Sequence, residues 1–157
     1  MKISASIVPA EQARQVGERC LCLHVQRAGR ALARRFDEAL RPCGLSSWQF
    51  SILMALSASE PPSLGVLAEW LVMDRTTLTA NLKPLERRAL VRVRPDPQDR
   101  RVRRLSLSKS GRALLARALP HWEAAQREAE ACVGPGAPSL RHALSSLSRE
   151  PKGLRAL

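Results

Sequence analysis

Two clusters of side chains in this chain of 157 residues have types and spacings that suit them to chemistry. Between Pro95 and Ser108 stand Arg100, Arg101, Arg103 and Arg104, in company with Asp96 and Asp99. A guanidinium is planar, always charged, and presents its donors in a fork that fits phosphate oxygens and base edges. Upstream, Arg75, Thr76, Thr77, Thr79, Asn81 and Lys83 interleave cations with short hydroxyl and amide groups. Groups of that size and polarity can read hydrogen-bonding patterns in a DNA groove. A third set, the thiols of Cys20, Cys22, Cys43 and Cys132, could act as nucleophiles or redox groups only as thiolates. Cys20-x-Cys22 lacks the spacing of zinc or dithiol sites, and no second Cys/His pair accompanies it. No metal, cofactor or catalytic constellation is expected, so an enzyme is disfavoured.

The charge balance agrees with a polyanionic partner. The formal net charge is +12, and the segment from Arg75 to Arg117 carries thirteen Lys and Arg against only Glu86, Asp96 and Asp99. A merely solvated surface intersperses the two signs, whereas one-sided clustering marks a binding face. Composition alone leaves nucleic acid and an acidic membrane surface both open. No run approaches the roughly 18 to 20 apolar residues that span a bilayer, and "MKISASIVPAEQ" lacks the apolar region of a signal peptide. A cytoplasmic protein with reduced thiols is the expectation. With 45% hydrophobic residues, the chain can bury a core.

The elements that must position these groups follow from periodicity. From Glu11 to Leu40 no proline intervenes, and Leu21, Val25, Ala28, Leu32, Phe36 and Leu40 recur every three or four residues. One long amphipathic helix is predicted. "RPCGLSS" breaks it, and Ser46 or Ser47 can cap the next helix, whose apolar set is Trp48, Phe50, Ile52, Leu53 and Leu56. After "SASEPPS", "LGVLAEWL" reads as a short helix with Leu64, Leu67, Ala68 and Leu71 on one side. Asp74 can cap a helix from Arg75 to about Arg88 that buries Leu78, Leu82 and Leu85. Pro84 inside it removes one donor and predicts a slight bend.

The period then falls to two. "VRVR", the turn "PDPQDR" and "VRRLSLS" predict a β-hairpin whose tip is basic. Helix resumes in "LSKSGRALLARALPHWEAAQREAEAC", with a kink or break predicted at Pro120; "VGPGAPS" interrupts it and "LRHALSSLSR" closes the chain's helical pattern. The fold class is therefore mainly α with a small β-hairpin. A short helix, a tight turn, a second helix with a small polar face, and a basic hairpin read as a winged helix-turn-helix. The helix N-terminus favours phosphate, and a thin basic hairpin can lie along or within the minor groove.

The stretch "MDRTTLTANLKPLERRALVRVRPDPQDRRVRRLSLSKSGRALL" resembles the core of the MarR family of bacterial transcription regulators. The family's D-R-x-T-x-T stands here as Asp74-Arg75-Thr76-Thr77-Leu78-Thr79, its L-E-x-x-G-L-V as Leu85-Glu86 through Leu90-Val91, and its wing motif as Asp96, Asp99, Arg101 and Leu107-Ser108 through Gly111. The likeness extends from about Glu11 to Leu147. Ala89 departs from the usual glycine, and Asn81 stands where many members carry arginine.

The resemblance implies a cytoplasmic homodimer on a pseudo-palindromic double-stranded DNA operator, with no membrane partner. Dimerisation helices would occupy 11–45 and 109–148, a winged helix-turn-helix DNA-binding domain 46–108, and tails 1–10 and 149–157. It assigns Thr76, Thr77, Thr79 and Asn81 to bases, Arg75 to bases or backbone, and Arg101 to the minor groove. Lys83 belongs to the same DNA-facing set. Asp99 would brace Arg101, while Arg103 and Arg104 would serve phosphates. The alternative for these side chains is simple capping or solvation.

Members of the family respond to small aromatic or anionic ligands, or to oxidation of a cysteine. The stretch "CLCLHVQRAGRALARRFDEALRPCGLSSWQF" is similar to the first-helix segment of organic-hydroperoxide regulators, which places Cys22 at their reactive position, with Cys132 as a weaker resolving candidate. The chain has no tyrosine to activate that thiol, and packing of Cys22 in an apolar stripe is the plainer expectation. Cys20 and Cys43 are expected to be structural. His24, Trp48, Trp70, His121 and Trp122 are candidates to line a ligand cleft, with core packing the plainer role for Trp48 and Trp70. The leading expectation is a repressor released by a small-molecule ligand. The alternatives are a peroxide-sensing regulator using Cys22, a thiol peroxidase, and a winged-helix module for protein or RNA.

Overall fold

A computed structural model describes residues 8–57 and 60–148. The elements are α1 (Ala10–Arg19), α2 (Leu21–Leu40), α3 (Ser47–Ala55), α4 (Leu64–Trp70), α5 (Arg75–Arg87), β1 (Val91–Pro95), β2 (Arg103–Leu107), α6 (Lys109–Val133) and α7 (Ala137–Leu147). The tails expected at 1–10 and 149–157 lie outside the described residues, except for positions 8–10. Two compact units divide between Arg35 and Phe36.

In the first unit, the single helix expected from Glu11 to Leu40 is two. Cys20 adopts an extended backbone, with φ −71° and ψ 102°, and ends α1. Its sulfur then accepts from the Leu23 backbone N–H at 3.4 Å, as a capping side chain does, while the His24 ring meets the Glu18 carbonyl at 3.1 Å. Neither proline nor glycine marks this break, which is why periodicity alone runs through it. The apolar row of this amphipathic segment is largely open in the single chain: Leu21, Val25 and Leu32 are exposed.

The second unit starts with the end of α2, where Leu40 is fully buried. The chain turns at Gly44, whose left-handed φ of 61° glycine adopts without cost. Each helix from α3 to α6 then begins with a side-chain cap. Ser46 and Gln49 form a reciprocal capping box, Ser63 accepts from Val66 N–H, Asp74 from Thr77 N–H, and Ser108 from Gly111 N–H. Those caps fix where the helices start, and the apolar positions fix how they pack. Ile52, Leu53, Leu67, Leu78, Leu85 and Leu105 are fully buried with Leu40 in one core. Each such side chain stabilises the fold by about 1.5 to 3 kcal/mol relative to exposure.

The two strands pair antiparallel, with Val91 opposite Leu107 and Val93 opposite Leu105. That register turns Val91, Leu105 and Leu107 into the core and leaves the arginines of both strands outside. The middle of β2 is also stitched to the α3–α4 connection, since Leu105 N–H donates to the Pro62 carbonyl at 3.0 Å. Pro84 and Pro120 both lie inside helices that continue past them. The break expected at Pro120 is absent. Each proline leaves only the carbonyl four residues earlier unmatched, at Ala80 and Ala116, and both residues are exposed to water. No helix among the described residues is long and apolar enough to cross a membrane.

Candidate nucleic-acid interface

The N-terminus of α5 is set by Asp74. One carboxylate oxygen accepts from Thr77 N–H at 2.8 Å and the other from the Thr77 hydroxyl at 2.6 Å. These bonds, the side-chain one first, hold the Asp74 carboxyl below its ordinary pKa. Thr79 donates its hydroxyl to the Arg75 carbonyl at 2.7 Å, and the Asn81 amide donates to the Thr77 carbonyl at 3.0 Å. The donors of Thr77 and Thr79 are thus spent within the helix, and their oxygens remain available as acceptors. Arg75, Thr76, Thr77 and Lys83 are exposed, while Thr79 and Asn81 are half-buried. Arg75 folds across the start of α4, where a β-carbon on Gly65 would lie 3.3 Å from its guanidinium.

In the hairpin, Asp96 and Asp99 hold different groups, and neither carboxylate pairs with the Arg101 side chain among the described residues. Asp96 is the buried carboxylate; it accepts from Gln98 and Asp99 backbone N–H groups at 2.8 and 3.1 Å and from Arg104 Nε at 2.6 Å. The Arg104 guanidinium beside it, with those two backbone donors, holds its carboxyl below the ordinary pKa. Asp99 supports Arg101 only through its backbone, accepting from the Arg101 N–H at 2.9 Å. Arg104, expected on phosphates, is paired with Asp96 while its side chain remains 46% exposed, and its Nη1 also donates to the Pro61 carbonyl at 3.3 Å. Arg100, Arg101 and Arg103 are exposed and make no ion pair among the described residues. The hairpin therefore presents Arg100, Arg101 and Arg103 around its tip and Arg92 and Arg94 along β1, while Arg104 is held by Asp96.

The cleft candidates of the second unit differ in their surroundings. Trp122 stacks on Phe50 with ring centroids 5.9 Å apart and tilts against Phe36 at 6.5 Å. It lines a cavity of about 290 Å³ with Phe50, Ser51, Met54 and Leu119. Trp48 and Trp70, for which core packing was the plainer expectation, are 49% and 55% exposed, and neither lines that cavity. His121 is exposed on α6, and His24 lies in the other compact unit. Cys22, expected to be packed, is exposed and accepts from the Gln26 amide at 3.3 Å; helix periodicity placed it on an inward stripe that nothing in its own unit covers. Cys132 is exposed near the end of α6, and Cys43 is buried. Among the described residues no three His, Cys, Asp or Glu side chains gather into a metal site.

Three further residues support the site, and only Arg88 had no sequence signal. Arg88 donates to the Gly44 carbonyl at 2.5 Å and to the Cys43 carbonyl at 3.3 Å, anchoring the end of α5 to the turn before α3. Ala89 takes a left-handed φ of 53°, so the position glycine usually fills keeps glycine's conformation. Gly111 packs so tightly that a β-carbon would stand 2.1 Å from the Leu90 carbonyl oxygen. The Ser-x-x-Gly motif after the hairpin is thus a joint: Ser108 N–H donates to the Leu90 carbonyl at 3.0 Å and the Ser110 hydroxyl to the Ala89 carbonyl at 2.9 Å.

Comparison with known proteins agrees with this architecture. The family model described as MarR family matches residues 44–102. The structure of the Mycobacterium tuberculosis transcriptional regulator MosR in complex with DNA is similar at a TM-score of 0.78 and 39% identity, covering 87% of this chain and 99% of that one. The transcriptional activatory protein BadR of Rhodopseudomonas palustris is 40% identical over 72 residues, 44% of this chain and 41% of BadR. The transcriptional repressor NicR of Pseudomonas putida is 38% identical over 76 residues, 48% of each chain. The matched segment thus spans less than half the length of either curated relative.

Proposed function

This chain belongs to the MarR family of winged helix-turn-helix transcription regulators, and on that premise we propose that it is a homodimeric, sequence-specific repressor of transcription. Helix α5 enters the major groove, where Thr76, Thr77, Thr79 and Asn81 meet base edges and Arg75 and Lys83 meet bases or phosphates. The hairpin is the wing. Arg101 enters the minor groove, Arg103 lies on the backbone, and Asp99 holds the turn that presents Arg101. One observation carries this reading: a capped polar helix and an exposed, unpaired set of wing guanidinium groups belong to one folded unit.

Dimerisation falls to 11–45 and 109–148, around the DNA-binding 46–108. Its support is the apolar surface left open in a single chain, Leu21, Val25 and Leu32 on α2 and Leu140, Leu144 and Leu147 on α7. Two copies would set two α5 helices about 34 Å apart, one turn of the duplex. Release by a small aromatic ligand is supported by the Trp122 cavity, whose described lining holds no cation for an anionic group. The second reading, a peroxide-sensing regulator, is favoured by the exposure of the Cys22 thiol; Cys22→Ser should then leave the protein on DNA after peroxide treatment, and an unaltered release would remove it. Genome-wide capture of the bound DNA tests the proposal. Enrichment of a few palindromic sites overlapping promoters, with higher transcription on deletion, is the expected result. Scattered capture without a shared sequence would overturn it.

A further inference from the structure

Arg104 stands in the wing but behaves unlike its neighbours. Its Nε is committed to Asp96 at 2.6 Å and its Nη1 crosses to the Pro61 carbonyl at 3.3 Å. Residue 104 also bridges Ser63, and the next residue bonds Pro62. Three consecutive residues before α4 therefore meet the middle of β2 at one place. Asp96, only 12% exposed at its side chain, collects Arg104 and the two backbone N–H groups that shape the turn before Arg100. One strap thus joins the wing turn, the middle of β2 and the segment leading into the helix-turn-helix.

We propose that Arg104 and Asp96 are positioning residues that fix the angle at which the wing presents Arg100 and Arg101, and that Arg104 does not itself contact DNA. The inference rests on the DNA-binding reading above. It makes opposite predictions from a charge account. Removing the Asp96 charge would, by electrostatics alone, strengthen DNA binding; through the strap it weakens it.

The test uses the full chain and a duplex that the wild-type protein selects from a randomised pool, with affinity measured across a salt series. Asp96→Asn and Arg104→Gln are each expected to weaken binding about tenfold, with the slope of log affinity against log salt unchanged. Arg103→Gln, removing a phosphate contact, should flatten that slope by about one. Arg104→Lys keeps the charge but loses the fork, and it too should bind less well. Hydroxyl-radical footprints of the strap variants should lose protection at the wing and keep it under α5. The inference is overturned if Arg104→Gln flattens the slope by about one, if Arg104→Lys binds as wild type does, or if Asp96→Asn binds equally or better. Thermal melts establish that the variants fold; should Arg104→Gln fail to fold, Asp96→Asn and Arg104→Lys decide the matter. If the wild-type chain selects no duplex, the DNA-binding reading itself falls, and the strap inference with it.

Discussion

Arg101 is the residue on which the groove reading is most exposed. Its side chain has no carboxylate partner among the described residues, and only its backbone is held by Asp99. Replacement by Ala should leave the melting temperature nearly unchanged and weaken operator binding by about 1 to 3 kcal/mol, as measured by titration. Gly111 is its opposite, a residue with a steric role alone. Gly111→Ala places a β-carbon against the Leu90 carbonyl and should destabilise the fold by about 2 kcal/mol or more, read from denaturant unfolding. Proton linkage at this scale has a definite sign. The Asp74 and Asp96 carboxyls are held below their ordinary pKa, so their contribution to stability is full above the ordinary carboxylate range and is lost as pH falls through the depressed values. Residue types announced a DNA-facing surface, but they did not say which aspartate folds inward. Asp96 and Asp99 sit in similar local sequence; the hairpin register that pairs Pro95 with Arg103 brings Arg104 beside Asp96, and register is a tertiary fact.

At the scale of elements, the end of α5 stores strain. Ala89 at φ 53° carries a side chain in a region that L-residues avoid, and its N–H still bonds the Glu86 carbonyl at 2.8 Å to close the helix. Ala89→Gly should raise stability by about 1 kcal/mol, seen as a higher denaturant midpoint with the same slope. A loss of stability would mean that the alanine methyl packs usefully. The caps of α3, α5 and the hairpin's alternation were legible because each is a local pattern of two to four residues. The break at Cys20 was not, because a cysteine sulfur serving as a cap leaves no mark that distinguishes it from a helical cysteine. Of the kink or break predicted at Pro120, the break does not occur: Ala116, four residues earlier, is exposed, so its carbonyl can bond water and the helix has no need to stop.

For the whole molecule, the net charge of +12 and the open apolar rows fit the proposed arrangement, a dimer that carries two basic faces to DNA. Sedimentation equilibrium should give twice the chain mass, and Leu144→Asp, on the exposed α7 row, should shift the population toward monomer with weaker operator binding. A monomeric wild type would remove the dimer from the account. The apolar period of α2 was plain in the sequence, yet its meaning was not. Amphipathicity shows that a face must be covered but cannot say whether the chain's own core or a second copy covers it. The most direct test of sequence-specific DNA binding is the affinity of the wild-type protein for a selected duplex and for a scrambled duplex of equal length, across a salt series. The account predicts that the selected duplex binds at least about a thousandfold more tightly at physiological salt, with affinity for both falling steeply as salt rises. Equal affinity for the two duplexes, or binding indifferent to salt, would contradict it.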